Sequence, residues 1–223
     1  MPTRLRPTAS YAADAILVGD PGRALLLARE LLIQPKMSNH ARGLWGYSGE
    51  TPAGRDLTIQ STGIGGPSAA LVLGDLAELG VRRALRLGTC VGVDPALDLG
   101  DLLVVREAVA SGGSAAVHGV AAGQVVEPDQ GLTERLTELL GEDARPAKIA
   151  SVDAHPGHQL LPTGISAADM QTAPLLARGR TLEMTVAALL IVAETDRGEL
   201  LEKEELEDLE KRAGNAASAL LST

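Results

Sequence analysis

One short joint in this sequence combines the residue types that bind an anion at the start of a helix. The segment GDPGR follows the apolar run ILV and precedes the leucine-rich run ALLLARELL. Asp20 and Pro21 are typical of a helix start, as N-cap and first helical residue. A glycine such as Gly19 lets a ligand approach the backbone, and the free N–H groups of a helix start attract an anion. The pattern therefore predicts an anion site containing Gly19 and Arg23, with an ordinary capped turn as the alternative.

A second arginine occurs inside an apolar strand. In VRRALRLGTC, Arg86 lies between Leu85 and Leu87, in a strand that we expect to be covered on both faces. A buried guanidinium is costly unless a carboxylate or a bound anion pairs with it. Thr89 follows at the strand end and can present its hydroxyl to the same ligand. Arg86 is therefore predicted to bind an anion, and the alternative is a structural ion pair with a buried Asp or Glu.

A glycine-rich turn also occurs in STGIGGPSAA, at residues 61–70. It is similar to the dinucleotide pattern G-x-G-x-x-G, but Ser68 replaces the third glycine and Pro67 precedes it. Two glycine-rich joints and a strand arginine suit one small anion and a neutral group better than a dinucleotide.

Alternating elements must position these residues. Apolar runs predict strands at 13–18, 55–61, 83–88, 101–105, 148–152 and 186–193. Helical patterns lie at 21–33, 67–79, 129–140 and 170–182, and a charged helix runs from about 199. This alternation predicts an α/β sandwich. The loops 111–128 and 153–168 are rich in Gly, Pro and Ser and are candidate ligand covers.

Composition restricts the class of protein. The 223 residues suit one domain, 1–223, with a single core. The net charge of −9 argues against a nucleic-acid binder, and no apolar run is long enough to span a membrane. The N-terminal residues lack the apolar stretch of a signal peptide, and the single Cys90 fits a reducing compartment. A cytoplasmic protein without nucleic-acid or membrane partners is therefore expected.

Five motifs in order give the chain a recognisable pattern. The motifs ILVGDPGR, RGLWGYSG, STGIGGPSAA, LRLGTC and LDLGD resemble the nucleoside phosphorylase family of purine nucleoside and uridine phosphorylases. The resemblance runs from about Asp14 to Asp196, dense as far as Asp101 and patchy after Ser114. The resemblance implies a three-layer αβα sandwich around a mixed, largely parallel sheet. It also implies that inorganic phosphate, a co-substrate rather than a cofactor, attacks C1′ of a nucleoside to release the base and ribose 1-phosphate. Purine ribosides are favoured, and uridine remains possible.

The same resemblance assigns the phosphate site. Gly19, Arg23, Arg86 and Thr89 match the residues that hold phosphate, with Arg86 also catalytic. Arg42, which opens RGLWGYSG, matches an arginine that reaches into the phosphate site of a neighbouring subunit; the alternative is a surface arginine. A homo-oligomer is therefore implied, with a dimer as the minimal unit and a trimer or hexamer possible.

The sugar and base sites follow from the later motifs. Met170 and Gln171 match the ribose-binding Met-Glu pair of the family, with an amide in place of the carboxylate. Asp196 is the candidate general acid that donates to the base, and an ordinary turn aspartate is the alternative. Cys90, Val91 and His155 complete the predicted base site together with Asp196.

Departures from the family pattern leave other functions open. Val91 stands where backbone access is expected, and the segment VDAHPGHQ lacks the usual stacking aromatic, a place that His155 can take. No metal site is expected from His155 and His158, because no third ligand lies nearby. The main alternative is a degenerate relative that binds a nucleoside or sugar phosphate without turnover. A nucleosidase and a dinucleotide-dependent oxidoreductase are the others. Arg86→Ala is expected to abolish turnover with a modest effect on folding.

Overall fold

The computed structural model describes residues 2–156 and 161–222. Met1, Thr223 and residues 157–160, which include His158 and part of the predicted 153–168 loop, lie outside the described residues. The strands are β1 Asp14–Val18, β2 Ile33–Asn39, β3 Gly46–Glu50, β4 Asp56–Ser61, β5 Arg83–Gly92, β6 Leu102–Ala110, β7 Val125–Val126, β8 Ala144–Ser151, β9 Ala167–Asp169 and β10 Thr185–Thr195. The helices are α1 Pro21–Leu31, α2 Gly65–Glu78, α3 Gln130–Leu140, α4 Thr172–Thr181 and α5 Lys203–Leu221.

The predicted strands and helices are confirmed, with shifts at their ends. Each of the six predicted strands and five predicted helices has a counterpart, and β5, β6 and β8 extend by several residues beyond their apolar runs. Sequence analysis missed β2, β3, β7 and β9. The sequence of β2, IQPKMSN, is mostly polar and contains a proline, and most of its residues are not buried. Such a strand lacks the apolar pattern on which the predictions were based.

All ten strands belong to one mixed sheet, in the order β10-β6-β8-β9-β5-β1-β4-β3-β2 with β7 beside β6. Parallel pairings join β1 to β4 and β5, β5 to β10, β6 to β8 and β8 to β9. Antiparallel pairings join the remaining neighbours, so the sheet is less parallel than expected. Because β10 pairs with β5 as well as with β6, five strands also close into a ring, which the sandwich prediction did not include.

Helices cover both faces of the sheet. Side chains of β1 alternate between two cores: Ala15 and Leu17 pack with α2 and α4, whereas Ile16 and Val18 pack with α1, α3 and α5. This arrangement agrees with the predicted helix layers. No helix in the described part of the chain has both the length and the hydropathy that a membrane span requires.

The parallel strands bring the chemically interesting segments to one edge. Strands β1, β4, β5 and β10 run in the same direction, so their carboxyl ends lie together. In open α/β sheets, this edge is where ligands bind. The GDPGR joint, the glycine-rich turn after β4 and the end of LRLGTC all lie there.

Candidate active site

A cavity of about 460 Å³ opens at the carboxyl ends of these strands. Its volume lies within the range typical of small-molecule sites. It collects residues from separate segments of the chain between Gly19 and Leu200. The predicted site residues that line it are Gly19, Arg23, Arg86, Thr89, Cys90, Val91, His155, Met170 and Gln171.

Arg86 is buried, with three of its N–H groups already bonded. It is 4% exposed, and its Nη2 donates to Asp169 Oδ2 at 2.8 Å. Its Nη1 donates to Gln171 Oε1 at 2.7 Å, and its Nε donates to Thr172 Oγ1 at 3.0 Å. The alternative of a structural ion pair is thus present in the structure. Because a guanidinium has five N–H donors, two remain for a ligand in the cavity that Arg86 lines.

The carboxylate that pairs with Arg86 also bonds the first residue of helix α4, Thr172. Asp169 accepts bonds from the backbone N of Thr172 at 3.0 Å and from its hydroxyl at 2.7 Å. The Ser151 hydroxyl donates to the other carboxylate oxygen at 2.5 Å. Sequence analysis missed Asp169, although it adjoins the predicted Met170. The available signal was an acidic residue directly after the apolar dipeptide Ala167–Ala168, at the end of a short buried strand.

Gln171 is bonded at both ends of its amide. Its Oε1 accepts from Arg86 and from the Thr62 hydroxyl, the latter at 3.2 Å. Its Nε2 donates to the carbonyl oxygens of Gly63 at 2.6 Å and Gly65 at 3.3 Å. Both glycines have positive φ, at 72° and 80°, so the glycine-rich turn has a shape that other residues rarely adopt. The amide therefore ties this turn to Arg86, and a ribose hydroxyl must compete with these bonds.

Gly88 makes room for the Arg86 side chain. A Cβ at this position would lie 2.5 Å from Arg86 Nη2 and 2.6 Å from its Cζ. The guanidinium therefore folds back over the strand residue two positions later. This glycine needs no unusual backbone angle, and its role is steric.

Arg23 has its own carboxylate partner. Its Nε lies 2.5 Å from Glu210 Oε1 of helix α5, and the two side chains are 10% and 6% exposed. Asp20 caps α1 by accepting from the backbone N of Arg23 at 2.9 Å, as the sequence predicted. Sequence analysis predicted only a charged helix for the α5 segment and missed Glu210.

The wall formed by the end of β5 is largely apolar. Cys90 and Val91 are 5% and 4% exposed, and the Cys90 thiol lies 3.5 Å from the carbonyl oxygen of Ile191. Burial raises the pKa of the Cys90 thiol, to which nearby Asp169 adds. A protonated thiol is a poor nucleophile, which agrees with a packing role for Cys90.

An acidic residue lines the cavity further along the sheet, but it is Glu194 rather than Asp196. Glu194 lies near the end of β10, and its Oε2 is 3.1 Å from His155 Nε2. Asp196 is exposed in the turn that follows and is not among the cavity-lining residues; its backbone N donates to Gly92 O at 2.9 Å. The sequence prediction ended the strand at 193, which put Glu194 in the loop. In the structure the β10–β5 pairing continues to Thr195 and places Glu194 beside Val91.

Arg42 is not among the residues that line the cavity of its own chain. It occupies the short turn Ala41–Gly43, is exposed and has a φ of 59°. The assignment of Arg42 to the phosphate site of a neighbouring subunit stays a prediction, as does the alternative of a surface arginine.

Comparisons with known proteins identify a family and individual proteins that are similar to this chain. The profile of the Phosphorylase superfamily matches residues 14–223. The DeoD-type purine nucleoside phosphorylase of Oceanobacillus iheyensis is 36% identical over 98 residues, 43% of this chain and 41% of that protein. The uridine phosphorylase of Haemophilus influenzae is 38% identical over 98 residues, 44% of this chain and 38% of that protein. The similarity thus spans about two-fifths of the length of these curated relatives.

Proposed function

The chain belongs to the phosphorylase superfamily, and on that premise we propose that it catalyses the phosphorolysis of a nucleoside. Inorganic phosphate and a nucleoside would give the free base and ribose 1-phosphate. Relatives named for purine nucleosides and for uridine are both similar to this chain, so the base is proposed rather than fixed. We favour purine ribosides, with uridine as the second choice.

The observation that carries the proposal is a cavity with chemically different ends. Arg86 pairs in register with Ala188, whereas Glu194 pairs with Val91, five residues further along β5. The Arg86 guanidinium lies over Gly88, and at about 3.3 Å per residue the three residues from Gly88 to Val91 separate the two ends by roughly 10 Å along the strand. One end offers guanidinium groups, the Thr89 hydroxyl and the glycine backbone to an anion. The other end offers the Glu194 carboxylate and the His155 imidazole to a polar ring.

This arrangement suits a displacement at C1′. A phosphate oxygen forms a bond to C1′ as the bond from C1′ to the base nitrogen breaks, and the base leaves with the electron pair. Guanidinium donors hold and orient the attacking phosphate, which reduces the entropy cost of bringing two reactants together. The departing base needs a proton or a hydrogen bond, which the His155 imidazole, or Glu194 in its protonated form, would supply. Since Asp196 is exposed outside the cavity lining, we propose Glu194 in place of Asp196 for this role.

Several properties of the whole protein are proposed with this activity. Phosphate acts as co-substrate and no other cofactor takes part. The ligands are small molecules, and neither nucleic acid nor membrane is a partner. The active unit is a cytoplasmic homo-oligomer in which Arg42 completes the phosphate site of a neighbouring subunit.

A turnover panel tests the proposal. Adenosine, inosine, guanosine, uridine and thymidine are each incubated with and without phosphate; free base is measured by chromatography and sugar phosphate by phosphorus NMR. We expect release of base that requires phosphate, and loss of that release in Arg86→Met. Arg82→Met is the matched control, because Arg82 is an exposed arginine four residues earlier whose Nη1 bonds backbone carbonyls. Absence of phosphate-dependent release in the wild-type protein refutes the proposal.

A second candidate function is binding without phosphorolysis. Its support is the pairing of both cavity arginines with carboxylates, Arg86 with Asp169 and Arg23 with Glu210, because ion pairing reduces the net positive charge available to phosphate. The Gln171 amide also supports this candidate, because a ribose hydroxyl must compete with the bonds that the amide already makes. Protection of the fold by a nucleoside against heat, without turnover in either condition, supports this candidate. Release of base that is independent of phosphate indicates hydrolysis instead.

A further inference from the structure

Arg23 lies in the wall between two cavities. It lines the candidate active-site cavity and also a second cavity of about 460 Å³ between helices α1 and α5. Glu210 lines the second cavity and is not among the residues that line the first. The guanidinium of Arg23 can therefore be approached by an anion from one side and by a protein carboxylate from the other.

The carboxylate is already in contact. Glu210 Oε1 lies 2.5 Å from Arg23 Nε, and the Glu210 side chain is 6% exposed. A buried carboxylate this close offsets the positive potential that the guanidinium gives to the neighbouring cavity. The contact is made through Nε, so the terminal Nη groups remain to serve a ligand.

Neighbouring acids have other partners. The carboxylate of Asp20 accepts from the backbone N of Arg23 as the cap of α1. Glu207, about one helical turn before Glu210, lies 3.7 Å from Lys203 Nζ. Among the described residues, Glu210 is thus the acid whose carboxylate forms an ion pair with the Arg23 side chain.

We propose that Glu210 sets the phosphate affinity of the active-site cavity by competing with phosphate for Arg23. This inference rests on the proposed phosphorolysis, and it assigns Glu210 as a positioning residue that acts through Arg23 without touching a substrate. In the resting state Glu210 holds the guanidinium and weakens anion binding. When phosphate binds, phosphate and the Glu210 carboxylate, which are both negatively charged, contact Arg23 together.

A pH dependence follows from the burial of this pair. Burial raises the pKa of Glu210, and the charges of Asp20 and Glu207 raise it further, whereas Arg23 lowers it. Arg29 and Lys203 also line the cavity that Glu210 faces. Protonation of Glu210 as the pH falls removes the competing charge, so the affinity for a dianion should increase.

The experiment compares anion binding by calorimetry in the full-length protein. The variant Glu210→Gln keeps the shape and an oxygen acceptor for Arg23 but removes the charge, and Glu207→Gln removes an equal charge one turn away. We expect Glu210→Gln to tighten phosphate binding about tenfold, because the variant removes a buried negative charge that repels the anion. Glu207→Gln should change the affinity for phosphate less than threefold. The KM for nucleoside should stay constant while the KM for phosphate falls in Glu210→Gln.

Sulfate provides a second measurement, because it remains a dianion while phosphate changes its charge. Sulfate affinity of the wild-type protein should increase as the pH is lowered from about 8 to about 5.5. This range lies above the ordinary pKa of a glutamate side chain. This increase should disappear in Glu210→Gln. The wild-type series does not depend on any variant folding correctly.

The outcomes separate this inference from the proposed function. Phosphate-dependent turnover with equal or weaker phosphate binding in Glu210→Gln overturns the role of Glu210 and leaves the proposed function standing. A sulfate affinity that is independent of pH in the wild-type protein also overturns it. Absence of phosphate binding in both the wild-type protein and Glu210→Gln overturns the inference, and the turnover panel then decides whether the function fails with it. Tighter phosphate binding in Glu210→Gln without any turnover supports the competition and refutes phosphorolysis.

Discussion

Removal of the Arg86 guanidinium should destabilise the fold as well as the anion site. In Arg86→Met, the Asp169 carboxylate stays buried at 1% exposure without its counter-charge. Breaking a buried ion pair from one side costs about 3–5 kcal/mol. Asp169 keeps its bonds from the Ser151 hydroxyl and from Thr172, so we expect the low end, about 3 kcal/mol. The sequence-based expectation of a modest effect on folding is therefore replaced by a large one.

The assay is a double-mutant cycle with Asp169→Asn, measured by urea unfolding. The single tryptophan, Trp45, reports the transition by fluorescence, and far-UV circular dichroism checks that both probes coincide. We expect the double variant to lose about 2 kcal/mol less than the sum of the single variants, because each single change leaves one buried charge unpaired. In a chain of this size, a loss of about 3 kcal/mol lowers Tm by roughly 6–12 °C.

Two results would contradict this reasoning. A coupling energy below about 0.5 kcal/mol would show that Arg86 and Asp169 do not interact in solution. An Arg86→Met variant as stable as the control Arg82→Met would show that the carboxylate does not need its partner. The exposed control is expected to stay within about 0.5 kcal/mol of the wild-type protein.

Three further predictions concern the surroundings of this site and the wider core. Gln171→Glu should lower the free energy of unfolding by about 2 kcal/mol. The Gln171 amide donates to two backbone carbonyls, and a carboxylate in its place would face them without a donor. Unchanged urea unfolding of this variant contradicts the prediction. Gly88→Ala should displace the bonded Arg86 guanidinium and cost about 2 kcal/mol or more in urea unfolding, whereas Gly19→Ala, whose new Cβ meets nothing closer than 3.7 Å, should be nearly neutral in the same assay. Burial raises the pKa of Tyr11 from its ordinary value of 10.0 to about 12, so the folded protein keeps a proton that the unfolded chain loses. The free energy of unfolding should therefore fall by about 1–2 kcal/mol as the pH rises from about 10 to about 12. Tyr11→Phe should remove this fall from the profile of stability against pH.

Local sequence signals accounted for most of the framework. Asp20 and Pro21 start α1 as their residue types require, and the apolar runs of β1, β5 and β10 lie in a covered sheet. The glycine-rich joints were correctly placed at strand ends because Gly, Pro and apolar alternation act over a few residues. Strands β2 and β9 were missed, because a polar edge strand and a three-residue strand carry no such pattern.

The sequence by itself determined which residue types reach the cavity, since the direction of parallel strands brings the joints after β1, β4 and β5 to one edge. Only the tertiary structure decided how they are paired. Asp169 lies 83 residues from Arg86, and Glu210 lies on the terminal helix, far from Arg23; each is one of 29 acidic residues with no local mark of its partner. It also placed Glu194 rather than Asp196 in the lining of the cavity, because the β10–β5 pairing continues to Thr195. Contacts of this kind depend on packing between distant segments, which a local pattern of residues does not encode.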